Sequence, residues 1–139
     1  MAAISITAAN VQASSAATLR KEYNAGATIT AGQAVYLNAS NVWVLADSDA
    51  AGLGNAIDSL IGIATNGAST GQPLTVCTAD TAFTLGGTMT NGKAIYLFTT
   101  PGAVSEADIP TTAAYPVVLG VAKSTTVMNL RPVASGVVI

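Results

Sequence analysis

A chain that performs covalent chemistry at neutral pH needs a nucleophile and a base, and this one is short of both. It contains no histidine, the side chain that most often serves as general base or metal ligand near neutrality. Ser-His-Asp and Cys-His arrangements are therefore impossible. The single cysteine, Cys77, lies in the alternating stretch LTVCTAD. With no base to generate its thiolate, it reads as a small buried hydrophobe. Seven carboxylates remain: Glu22, Asp47, Asp49, Asp58, Asp80, Glu106 and Asp108. A carboxylate pair can cleave glycosides, but a chain with 5% aromatic residues makes a poor sugar-cleaving groove. Counted from Asp47, Gly52 is sixth and Asp58 twelfth, as in a calcium loop. Ala51 stands fifth, however, and the pattern supports no flanking helices. Asp47 to Asp58 reads as a solvated acidic loop, with calcium binding the alternative. Gly52-Leu53-Gly54 lacks the third glycine of a phosphate cradle. No catalytic, cofactor-binding or metal-ligating residue is assigned, and the chain is not read as an enzyme.

Charge excludes further classes. Arg20, Lys21, Lys93, Lys123 and Arg131 are the only basic residues, and the net charge is −2. That is too little to neutralise many phosphates, so no direct nucleic-acid binding is expected. Mean hydropathy is +0.52, yet no apolar run approaches the roughly 20 residues of a membrane-spanning helix. The first residues carry no basic segment followed by a continuous apolar one, so no secretory signal is expected. A lone cysteine fits synthesis in a reducing compartment. Charged residues make up 9% of the chain, against about 25% in an average domain. A surface so poor in charge implies that part of it is covered, most simply by other copies in a closed homo-oligomer.

The elements that organise these residues come from an internal repeat. GATITAGQAVYL (Gly26 to Leu37) aligns with GGTMTNGKAIYL (Gly86 to Leu97) at an offset of 60, with seven of twelve positions identical. LIGIAT (Leu60 to Thr65) and VLGVAK (Val118 to Lys123) follow in the same order, at an offset of 58. Each precedes an alternating stretch, Pro73 to Thr78 and Thr126 to Arg131. Six of the seven identities fall on alternate residues, which is strand geometry. One face is small or hydroxylated (Thr28, Thr30, Ala34, Tyr36) and the other apolar (Ile29, Val35, Leu37). Val42 to Leu45 and Thr81 to Leu85 read as further short strands, with Ile4 to Ile6 and Thr18 to Tyr23 weaker ones. Asn91-Gly92 reads as a hairpin turn. Short helical turns are expected in Asp49 to Leu60 and Glu106 to Thr112. The expected architecture is all-β: a sandwich or barrel over 23–139, made of two similar halves (26–78 and 86–131). Residues 1–22 are an extended N-terminal arm or edge strand. The arm's Ile4, Ile6, Val11 and Leu19 are the candidate contacts to a neighbouring subunit or another partner.

Several motifs, taken in order, carry a resemblance. They are TAAN (Thr7 to Asn10), AGATITAGQAVYLNAS (Ala25 to Ser40), LADSDA (Leu45 to Ala50), IGIA (Ile61 to Ala64), GQPLTV (Gly71 to Val76), VLGVAKS (Val118 to Ser124) and ASGV (Ala134 to Val137). Their sequence resembles the capsid decoration, or cement, proteins of tailed bacteriophages. The resemblance implies a compact β-barrel or β-tulip, often trimeric, seated on the outside of a virion after synthesis in the host cytoplasm. The implied partners are the major capsid protein and the chain itself, with no cofactor. The competing reading is a tail, fibre or adhesion module that binds host glycans through Trp43, Tyr23, Tyr36, Tyr96 and Tyr115.

Overall fold

The computed structural model describes residues 3–48, 60–106 and 116–134. Among them are nine strands, one short 3-10 turn at Ala8–Asn10 and no α-helix. No described helix is long and apolar enough to cross a membrane. The strands are β1 (Thr18–Arg20), β2 (Ala34–Leu37), β3 (Trp43–Leu45), β4 (Ile61–Ala64), β5 (Val76–Thr84), β6 (Ala94–Leu97), β7 (Val104–Ser105), β8 (Val117–Ala122) and β9 (Val127–Ala134). Val, Ile, Leu, Thr and Tyr dominate them, the side chains that pack best on a pleated surface. Every pairing between these strands is antiparallel. The protein is an all-β, barrel-like domain.

Its plan is one five-stranded sheet built twice. The first sheet has the order β3-β2-β4-β5-β1, and the second β7-β6-β8-β9-β5. β5 belongs to both. Its first residues pair with β4 and β1, through Ile63↔Cys77 and Leu19↔Cys77. Its last residues pair with β9, through Phe83↔Met128 and Thr84↔Val127. Two strands were expected here, ending at Thr78 and starting at Thr81. The structure has one, and the register shift between Asp80 and Phe83 marks where it leaves the first sheet for the second.

The backbone repeats with the sequence. Gly32 N–H donates to the Ala64 carbonyl at 2.8 Å, and Gly92 N–H to that of Ala122 at 2.8 Å. Ile29 N–H donates to Ala68 at 2.9 Å, and Met89 N–H to Thr125 at 2.9 Å. Asn91-Gly92 does form a turn, closed by Lys93 N–H on the Thr90 carbonyl at 3.1 Å. It is not a hairpin turn, because the strands on either side of it, β5 and β6, do not pair. Gly92 sits at φ +85°, a left-handed conformation that glycine adopts without strain. The ladder between β8 and β9 breaks between Val118 and Gly120, opposite Pro132, which has no N–H to donate. Gly120 is required there, since a Cβ would lie 2.0 Å from the Asn129 carbonyl oxygen.

Two apolar cores result, in a layered order. The first contains Ala25, Ile29, Val35, Trp43, Leu74 and Val76 and lies on one face of the first sheet. The second contains Phe83, Leu85, Met89, Ile95, Leu97, Met128 and Leu130, together with Ala34, Ile61, Ile63 and Cys77 from the other face of the first sheet. The first sheet is thus covered on both faces. The sequence pattern implied one apolar face, yet Ala34 on the small-residue face is as buried as Val35, both at 0% exposure. The sheet's two ends are tied as well. Gly102 N–H donates to Ala46 at 2.7 Å, and Ser48 N–H to Phe98 at 3.0 Å.

Candidate functional site

The N-terminal segment lies as a strap across the junction of the two halves. It forms no strand at Ile4 to Ile6, contrary to the alternation there. Spaced backbone bonds hold it instead. Ile4 N–H donates to Val104 at 2.8 Å and Thr7 N–H to Gly86 at 2.9 Å, while Gln12 and Thr84 exchange bonds of 3.0 and 2.9 Å. Ile4, Ile6, Val11, Ala13 and Ala17 pack half-buried against the second core. Glycines make the track they occupy. A Cβ at Gly32 would meet Ile6 Cγ2 at 2.5 Å, one at Gly86 the Thr7 oxygen at 2.8 Å, and one at Gly87 Ile4 Cγ2 at 2.6 Å. The structure therefore brings Ile4, Ile6 and Val11 together against their own chain. Leu19 stands apart on β1 and is 37% exposed.

Composition gave no hint of the clasp that fixes the strap. Asp80 is the one buried charged residue among those described, at 2% exposure. Its carboxylate accepts a bond from Ser14 N–H at 2.7 Å, a short one from the Ser14 hydroxyl, and one from Ala82 N–H at 3.0 Å. Burial pushes the Asp80 pKa up. The Ser14 and Ala82 bonds and the Lys123 charge outweigh that and hold it below the ordinary carboxylate value. Lys123 is itself anchored, its Nζ donating to the Thr81 carbonyl at 2.7 Å. Sequence reading missed this group because Ser14 and Asp80 are 66 residues apart. Nothing local marks either of them.

The remaining candidates are structural. Cys77 is buried, and burial first, then the nearby Asp80 charge, pushes its thiol up to about 11. That suits a packed side chain and not a nucleophile. Trp43 is fully buried and meets Tyr23 edge-on, with ring centroids 6.5 Å apart. It is not free to stack on a sugar, which removes the principal aromatic of the glycan reading. Arg20 pairs with Glu22 at the surface. Glu106 accepts from the Thr90 amide at 2.6 Å and hydroxyl at 3.0 Å. The described residues contain no group of three or more His, Cys, Asp or Glu able to hold a metal. From residue 49 onward the Asp47 to Asp58 loop lies outside the described residues, as do Asp108 and Tyr115. So do almost all of both expected helical turns.

Two grooves flank the strap. One, of about 280 Å³, is lined by Ile4, Ile6, Gly32, Gln33, Pro101 and neighbours. The other, of about 390 Å³, is lined by Ser5, Thr7, Asn10, Thr84, Thr88 and Thr126 with two glycines. Neither lining includes a titratable side chain. Such surfaces can make neutral contacts and hydrogen bonds, and they offer nothing to move a proton or attack a bond. No family model, curated protein or solved structure matches the chain.

Proposed function

We propose that the chain is a structural virion protein of a tailed bacteriophage. It binds the outside of the capsid as a homo-oligomer, a trimer on the pattern of the family it resembles. There it bridges major capsid protein subunits and stabilises the expanded shell. Its place is the outer capsid surface, after synthesis in the host cytoplasm. The proposal includes no chemical step and no cofactor.

The observation that best supports this reading is the doubled sheet. Two copies of one small β unit share a strand, pack face to face and are strapped together across their junction. That yields a stiff plug with neutral grooves, suited to carrying load between neighbours. Binding only the expanded shell would stabilise it by mass action. Linkage of several copies would add avidity without new contacts. Within this reading the strap's exposed side, at Ser5 and Thr7, and the exposed Leu19 face a neighbour, since Ile4 and Ile6 are turned inward.

The test uses purified protein with empty phage heads in expanded and unexpanded forms, read by co-sedimentation and electron microscopy. Saturable, regularly spaced density on expanded heads alone is expected. Equal or absent binding to both forms would remove the proposal. A glycan array on the same sample would then score the adhesion alternative.

A further inference from the structure

The strap and β5 run side by side, paired at both ends of a shared stretch and parted in its middle. At one end Gln12 and Thr84 exchange both main-chain bonds, at 3.0 and 2.9 Å. At the other, Leu19 pairs with Cys77 and Arg20 with Val76, in the same antiparallel sense. Leu19 lies seven positions after Gln12, and Thr84 seven positions after Cys77. No surplus residue on either side forces the two apart.

An antiparallel ladder continued from Gln12 and Thr84 would next pair Ser14 with Ala82 and then Ala16 with Asp80, each pair exchanging N–H to carbonyl bonds. The structure forms neither pair. The Asp80 carboxylate takes both donors of the first one, Ser14 N–H at 2.7 Å on one oxygen and Ala82 N–H at 3.0 Å on the other. The Ser14 hydroxyl adds a third bond. The strap groups left over turn back on the strap itself. The Ser14 carbonyl accepts from Ala17 N–H at 3.2 Å, and Ser14 Oγ from Ala16 N–H at 3.1 Å. β5 breaks its own register at the same level, between Asp80 and Phe83. The carboxylate is held in its ionised form, and charge-assisted bonds are about twice as strong as neutral ones. Those three bonds hold the turn against the ladder.

We propose that the Asp80 carboxylate is a wedge that keeps this seam in the open one of two arrangements, and that removing its charge lets residues 12–20 zip onto β5 as a single strand. In the zipped arrangement Ser14 and Ala82 bond to each other directly and the turn at 14–17 straightens. Loss of the clasp with no second arrangement predicts the opposite, a strap that comes away from β5. The proposal does not rest on the capsid reading.

Nuclear magnetic resonance and amide hydrogen exchange on the full chain, wild type against Asp80→Ala, test this. The variant should show cross-strand Hα–Hα contacts from Ala13 to Phe83 and from Ser15 to Thr81. These are the non-hydrogen-bonded positions of the zipped ladder, where Cα atoms approach to about 4.5 Å. Its Ala16 amide should exchange at least about ten-fold more slowly than in the wild type. Ser14→Ala, which keeps the carboxylate, should show neither change; zipping there would assign the wedge to the hydroxyl and overturn the proposal. A folded Asp80→Ala without the two contacts, or with an Ala16 amide that exchanges as fast as in the wild type or faster, also overturns it. If Asp80→Ala loses its fold, Asp80→Asn, which keeps the shape and lacks the second acceptor oxygen, must show the two contacts.

Discussion

Ile63 and Val121 occupy equivalent places in the repeat, and the layered arrangement assigns them unequal energies. Ile63 is at 0% exposure between the two cores. Replacing it with alanine removes three buried carbons and leaves a cavity, at a cost of about 3 kcal/mol within the usual 2–5 range. Val121 is 45% exposed. Val121→Ala removes two carbons already half in water, at about 0.8 kcal/mol for each fully buried carbon, so the loss stays below about 1 kcal/mol. An unfolding entropy of about 2.1 cal/mol/K per residue gives about 0.3 kcal/mol/K for a chain of 139 residues. The Tm should therefore fall by about 10 °C for Ile63→Ala and by no more than about 3 °C for Val121→Ala. Differential scanning calorimetry measures both. Equal shifts, or a larger one at Val121, would mean that the second sheet's outer face is covered within the chain and that the layering is wrong.

Ser14→Ala removes the hydroxyl donor to a buried carboxylate while keeping the amide one, and should cost about 1.5–3 kcal/mol. Limited proteolysis should then cut the strap between residues 3 and 17 faster than in the wild type. Because the folded Asp80 pKa is depressed, its contribution is complete above the unfolded value of about 3.9 and disappears as pH falls through the lower folded value. The wild-type Tm should thus decline more steeply below about pH 4 than that of Asp80→Asn. Gly120→Ala should abolish folding or lower Tm by more than about 10 °C, since its Cβ would lie 2.0 Å from the Asn129 carbonyl oxygen. Gly92→Ala meets nothing within 4 Å and should cost only the roughly 1 kcal/mol of its positive φ. Cys77, buried with its thiol pushed up to about 11, should resist a disulfide reagent at pH 8 and react fully only in denaturant; rapid native labelling would contradict its place in the core.

The amino-acid sequence by itself determined the all-β class, the two halves and their order. Each of these rests on local signals: period-two alternation, β-branched side chains and glycine-marked turns that recur at a fixed offset. The absence of histidine, with the chemistry it rules out, was also legible without coordinates. Only the tertiary structure decided which face of each sheet is covered. Ala34 and Ala94 carry the same side chain at the same place in the repeat, yet one is sealed and the other is part-exposed. No residue states its own neighbour across 60 positions. The merging of two expected strands into β5 was hidden for the same reason, because a strand's partners, and not its own residues, decide where it ends. The strap's course was hidden too: Ile4 and Ile6 alternate like a strand, but glycines at 32, 86 and 87 and a carboxylate at 80 fix where they lie. Burial is a property of pairs of surfaces brought together by the whole chain, and a periodic pattern records only one member of each pair.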